Sequence, residues 1–116
     1  MLEREVYDTI TYCADGKCAI VWVTLDMLKS LNIGEDEIEG LASIPRQIEG
    51  VLIGITMKEK EGGFFKISVR TNGDIDAAKF CSKFGGGGHK AAAGCSINGS
   101  LEDVRSQLIK AAEETL

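Results

Sequence analysis

The chain has 116 residues, which suits one domain large enough to bury a core without disulfide or metal staples. Apolar residues make up 44% and charged residues 27% of a chain of net charge −5, a balance that argues against a binder of duplex DNA, whose contact surface is basic. The longest apolar run, residues 18–23, is far short of the roughly 20 residues of a membrane span, and the charged start MLEREVYD lacks a signal-peptide core, so no membrane partner and a cytoplasmic location are expected.

Residues 8–13 and 18–23 read as a hairpin about Asp15-Gly16. Thr24 caps a short helix carrying Leu25, Leu28 and Leu31 and stopping at Gly34. Residues 35–43 form a second, acidic helix ended by Pro45. Alternation over 51–59 puts Val51, Ile53, Ile55 and Met57 on one face, and Phe65, Ile67 and Val69 repeat it after the turn Glu61-Gly62-Gly63. The opposite face of that second strand carries Lys66, Ser68 and Arg70. Asn72-Gly73-Asp74 is a turn, with Asp74 as N-cap of a helix over 75–84 whose apolar stripe is Ala77, Phe80, Cys81 and Phe84. A strand over 91–98 follows, then a last amphipathic helix capped by Ser100 and bearing Leu101, Val104, Leu108, Ile109 and Ala112. The order ββααββαβα predicts an α/β (α+β) fold: a mixed sheet of about five strands packed with helices, in a single small domain with no repeat and no linker.

Charge is spread unevenly. Residues 26–40 hold five acids and one base, whereas residues 66–90 hold five bases and two acids. The plain alternative is random scatter over a solvated surface. The four cysteines, Cys13, Cys18, Cys81 and Cys95, lack the close, repeated spacing of a zinc site, and free, partly buried thiols are expected.

The segment Gly85-Gly86-Gly87-Gly88-His89 carries the clearest chemical signal. Consecutive glycines cost conformational entropy on folding. They allow backbone N–H groups to converge on an anion, or a ligand to approach bare backbone. His89, the only histidine, adds a directional donor, and Ala91, Ala92, Ala93 and Gly94 leave room beside it. The competing explanation is tight helix-to-strand packing. A Walker A loop is excluded because no Gly-Lys-Ser/Thr follows. A dinucleotide fingerprint is excluded because these glycines follow a helix rather than a strand. Arg70 closes the strand before Asn72-Gly73. Strand ends favour ligands in such sheets, and an arginine there can clamp phosphate; otherwise it is a solvent-facing strand residue.

The run FGGGGHKAAAG, preceded by SVRTNGDIDAAKFCSK, resembles the DHH-associated C-terminal domain of the DHH phosphoesterase superfamily. Its members include bifunctional oligoribonucleases (nanoRNases) with pAp-phosphatase activity, RecJ-like exonucleases and phosphodiesterases of cyclic dinucleotides. The resemblance covers the chain from about Asp8 onward, and residues 44–51 are similar to the stretch that introduces the family's central hairpin. It implies a division of labour. An N-terminal hydrolase domain holds two manganese ions on Asp and His side chains, including an Asp-His-His motif, and the C-terminal domain binds the substrate's nucleotide. The implied substrate-binding residues are Arg70 and Thr71, matching the family's strand-end Arg-Ser/Thr, and Gly86, Gly87, Gly88, His89 and the following Lys90. This chain has no Asp-His-His, so no catalytic residue, metal ligand or cofactor is expected within it. Manganese is expected in the catalytic domain, joined in cis. Met1 before Leu-Glu-Arg-Glu suggests a piece cut from a longer protein. The implied ligands are short RNA or DNA oligonucleotides or pAp-like nucleotides, and an oligomer is compatible with the sequence. Three other readings use the same loop: a stand-alone nucleotide sensor, a packing or oligomerisation domain, and a tRNA-binding tail like that of alanyl-tRNA synthetase. The acidic net charge argues against the last.

Overall fold

Alternating apolar residues in the two central strands set the architecture. The computed structural model describes residues 2–31 and 44–116. Its elements run α1 (Leu2–Tyr7), β1 (Thr11–Cys13), β2 (Cys18–Val23), α2 (Leu25–Leu31), β3 (Ile53–Lys60), β4 (Phe64–Thr71), α3 (Ala77–Ser82), β5 (Gly87–Gly88), β6 (Ala92–Asn98) and α4 (Leu101–Thr115). The strands form one mixed sheet in the order β1-β2-β3-β4-β6-β5. Only β2 and β3 pair in parallel, and such a pair requires a crossover rather than a tight turn.

The period of two divides the sheet into unlike faces. One face presents Ile20, Ile53, Ile55, Met57, Phe65, Ile67, Val69, Ala93, Cys95 and Ile97 to α3 and α4, which contribute Ala77, Phe80, Cys81, Val104, Leu108, Ala111 and Ala112. On the other face, Val21 and Val23 of β2 gather Val6, Ile10, Met27, Leu28 and Ile44 into a second apolar cluster. That cluster covers the β2 end. Over β4 and β6 the second face is open: Lys66 and Ser96 are exposed, and Ser68, Arg70, Ala92 and Gly94 are half-buried.

Several expectations shift in detail. The sheet has six strands rather than about five, because Gly87 and Gly88 pair with Gly94 and Ala93 as a short edge strand instead of lying in a loop. The helix α1 is not predicted by the sequence pattern, and the turn that follows it at Asp8 and Thr9 confines the first strand to Thr11–Cys13. The N-cap of α3 is Asp76, whose side chain accepts from the Lys79 amide at 3.1 Å, not Asp74. The Ile75 carbonyl accepts the Thr71 hydroxyl at 2.8 Å, which holds the chain out of helical conformation until Asp76. The final helix begins as expected, with the Asp103 amide donating to Ser100 Oγ at 3.2 Å, and Thr24 Oγ1 likewise accepts from the Met27 amide. The acidic helix expected over 35–43 and the stop at Gly34 lie outside the described residues.

Thr56 is fully buried on β3, and its hydroxyl has no hydrogen-bond partner among the described residues. A buried polar group left unsatisfied costs about 1–3 kcal/mol. Thr56→Val keeps the branched shape and removes that group, so thermal melting should show Tm raised by several degrees. A lowered Tm would show that the hydroxyl is satisfied in solution.

Candidate functional site

Strand registers carry the phase of β4 across to the glycine segment. Arg70 pairs with Gly54 on one side and with Ala92 on the other. Ala92 in turn exchanges two bonds with His89: the His89 amide donates to the Ala92 carbonyl at 2.8 Å, and the Ala92 amide donates to the His89 carbonyl at 3.3 Å. Residues directly opposed on adjacent strands share a face of the sheet. Arg70, Ala92 and His89 therefore stand in one row on the open face. The next row holds Ser68, Gly94 and Gly87. Ala92, Gly94 and Gly87 give this area a floor of nearly bare backbone, with Arg70 on one side and the exposed His89 on the other. Among the described residues the Arg70 guanidinium makes one hydrogen bond, a long local one from Nη1 to the Val69 carbonyl at 3.3 Å.

The hairpin bearing His89 is pinned at its tip, the two-residue turn Lys90-Ala91. The Ala91 carbonyl accepts the Thr71 amide at 3.1 Å. The Lys90 carbonyl accepts the Ala77 amide at 2.6 Å and the Thr71 hydroxyl at 3.1 Å. Behind the loop, Gly86 donates to the Cys81 carbonyl at 3.0 Å and closes the end of α3. Glycine is required at two of these positions by contact. A Cβ on Gly86 would run into the Gly94 carbonyl and the Cys95 side chain, and one on Gly88, at φ +149°, would lie 2.7 Å from Ala93 Cα. Gly87 differs. A Cβ there would meet nothing within 4 Å, and its φ is not positive. Packing explains Gly86 and Gly88; at Gly87 glycine keeps clear the space above the floor.

The structure thus brings Arg70, Gly87 and His89 together and sends two other candidates elsewhere. Thr71 is buried on the opposite face, its hydroxyl engaged by the Ile75 and Lys90 carbonyls. Lys90 lines a cleft of about 550 Å³ with Asp76, Lys79, Lys83 and Thr115, between α3 and the end of α4. Three further residues complete the surroundings, two of them, Ala92 and Gly94, in the space-giving role that the sequence suggests. Ala92 and Gly94 form the floor. Asn72 Nδ2 donates to the carbonyls of both Arg46 and Val51 at 3.0 Å, clamping the Pro45–Gln47 turn beside Arg70. That turn closes the open face on the β3 side, where a Cβ on Gly54 would lie 2.6 Å from the Arg46 amide nitrogen. The signal for these positions was the phase of β4, carried across pairings that only the fold supplies.

Behind the loop, the Cys95 thiol is held below its ordinary pKa by a hydrogen bond from Cys81, which outweighs burial; the same bond, with burial, pushes Cys81 up. Among the described residues no group of three or more His, Cys, Asp or Glu side chains is placed to hold a metal ion. Manganese therefore does not fit this set of side chains. No helix among the described residues is long and apolar enough to cross a membrane.

The DHHA1 domain family matches residues 15–116 of the chain. The bifunctional oligoribonuclease and PAP phosphatase NrnA of Thermus thermophilus is 30% identical over 83 residues, covering 71% of this chain and 25% of that protein. An exopolyphosphatase-related protein from Bacteroides fragilis superimposes with a TM-score of 0.85 at 24% identity, over 97% of this chain and 34% of that one. A pGpG-specific phosphodiesterase, PggH, from Vibrio cholerae superimposes with a TM-score of 0.61 at 14% identity, over 98% and 38%. These two likenesses show the shared fold. The chain spans about a quarter of the length of the oligoribonuclease and just over a third of each of the two structures.

Alanine substitutions separate the roles of the glycines. Gly86→Ala and Gly88→Ala should each destabilise by about 1–3 kcal/mol through overpacking. Gly87→Ala should stay within about 0.5 kcal/mol of wild type. Thermal or denaturant melts read all three, and equal losses across the series would show that Gly87 is as structural as its neighbours.

Proposed function

The chain belongs to the DHHA1 domain family, and from that membership we propose that it holds the nucleotide end of a short single strand, or a pAp-like nucleotide, and presents its phosphate to a DHH catalytic domain of the same polypeptide in the cytoplasm. The observation that carries this reading is the row Arg70–Ala92–His89 above a side-chain-free floor. A guanidinium offers paired donors matched to two phosphate oxygens. An imidazole at the far side offers a directional donor or acceptor to the phosphate or ribose. Between them, Gly87 and Gly94 let a sugar or base approach the backbone. Thr71 and the Lys90 carbonyl act through the loop, by fixing where His89 stands.

The substrate class follows the relative named for oligoribonuclease and PAP phosphatase activity. On this reading the two-metal chemistry is the work of the catalytic domain. The site is one wall of a cleft, so the chain alone binds weakly. Few contacts offset the cost of association, and an affinity of roughly micromolar to millimolar follows. A self-sufficient sensor would enclose its ligand; this face is open.

Two outcomes test the reading. Arg70→Ala and His89→Ala should each cost about 1.5–3 kcal/mol of AMP binding, the worth of a charge-assisted hydrogen bond. Both side chains lie off the core, so melting should shift by no more than about 0.5 kcal/mol. Calorimetric or fluorescence titration beside melts of the same samples separates binding from folding, and wild-type affinity in both variants would refute the site. Separately, the purified chain with manganese should not hydrolyse a dinucleotide; turnover abolished by EDTA would place catalysis within this chain.

A further inference from the structure

We propose that the open face continues beyond Arg70 into a second site, a track for the nucleotides that follow the first, with Lys66 as its phosphate contact and Phe64 as its stacking surface. The proposal rests on the reading of Arg70 and His89 as a nucleotide site and extends it from a mononucleotide to a strand.

Four residues of β4 stand in one line on the open face: Phe64, Lys66, Ser68 and Arg70. Each step of two residues advances about 6.7 Å, comparable to the phosphate-to-phosphate step of an extended polynucleotide. Lys66 thus lies two steps from Arg70, and Phe64 three, about 20 Å away. Alongside on β6 run Ala92, Gly94, Ser96 and Asn98, and on β3 Gly54, Thr56, Lys58 and Lys60. None of these positions is acidic, although the chain carries 18 acidic residues and a net charge of −5. A strip free of carboxylates on so acidic a chain complements a polyanion.

Among the described residues, two side chains on the strip show no structural use. Lys66 is exposed between Lys58 and Ser96. Like charges set opposite each other on a sheet are unfavourable; Lys58 has an interaction of its own, and an anion beside Lys66 relieves the remainder. Phe64 is half-buried but packs in neither apolar cluster. Binders of single strands without sequence preference combine a cationic groove with aromatic rings on which bases stack, and the strip has both in line with Arg70. A duplex would need a far more basic surface, so the occupant is one short single strand.

The test compares AMP with 5′-phosphorylated tri-adenylate on the 116-residue chain. Wild type should bind the trinucleotide more tightly than AMP. Lys66→Gln and Phe64→Leu should each weaken trinucleotide binding about five- to tenfold, in the range known for one lost stacking or phosphate contact, and leave AMP binding unchanged. Lys66→Gln should also lower the slope of log affinity against log salt by about 0.7, one phosphate's worth for a single strand. Arg70→Ala should weaken both ligands. If the Lys66 and Phe64 variants bind trinucleotide like wild type while Arg70→Ala weakens both ligands, the track is wrong and the first site stands. If Lys66→Gln weakens AMP equally, Lys66 belongs to the first site and the track is again wrong. If Arg70→Ala changes neither ligand, the underlying reading falls with the proposal. If the variants instead abolish self-association in sedimentation without touching trinucleotide binding, the face joins two copies of the chain and the proposal is overturned.

Discussion

The amide and hydroxyl of Thr71 hold the carbonyls of Ala91 and Lys90, each at 3.1 Å, and the geometry of the candidate site depends on that clamp. Gly87 and Gly88 have no side chains with which to specify a strand, and glycine is among the poorest strand formers. Left to themselves they would sample many conformations. Tying the turn Lys90-Ala91 to the end of β4 and, through the Ala77 amide, to the start of α3 leaves the glycines one way to run, antiparallel along β6. His89 then falls in register with Ala92, and so with Arg70. An apolar residue at position 71 would lose the hydroxyl bonds to Ile75 and Lys90 and loosen the partner of Arg70 without touching Arg70 itself.

The second determinant is the asymmetry of the sheet. α3 and α4 cover one face along its length. On the other, the apolar cluster about Val21 and Val23 stops short of β4. Beyond it the face presents cations, hydroxyls and glycines.

Much of this was legible in the sequence because it rests on local rules. Alternation over Ile53–Lys60 and Phe64–Thr71 gave the central hairpin and put Arg70 on the polar face. Ser100 marked the start of the last helix. What was not legible depends on distant contacts. The glycine run reads as a loop until β6 pairs with it. Asp74 and Asp76 are equally good caps by composition, and the bond from Thr71 to Ile75 decides between them. The period that puts Arg70 outward puts Thr71 inward, so a motif that runs through both residues spans two faces of the sheet. Lys90, at the tip of the turn, borders the cleft that Lys79 and Lys83 also line, which sequence adjacency to His89 could not reveal.

The most direct measurement of the central claim is amide chemical-shift mapping of the isotope-labelled chain during titration with AMP. The cleft beside Lys79, Lys83 and Lys90 provides the built-in rival, since it too offers cations to a phosphate. The account predicts saturable shifts centred on Arg70, Gly87, His89 and Gly94, with Lys79 and Lys83 unmoved. Shifts centred on Lys79, Lys83 and Thr115, with the Arg70 row silent, would contradict it.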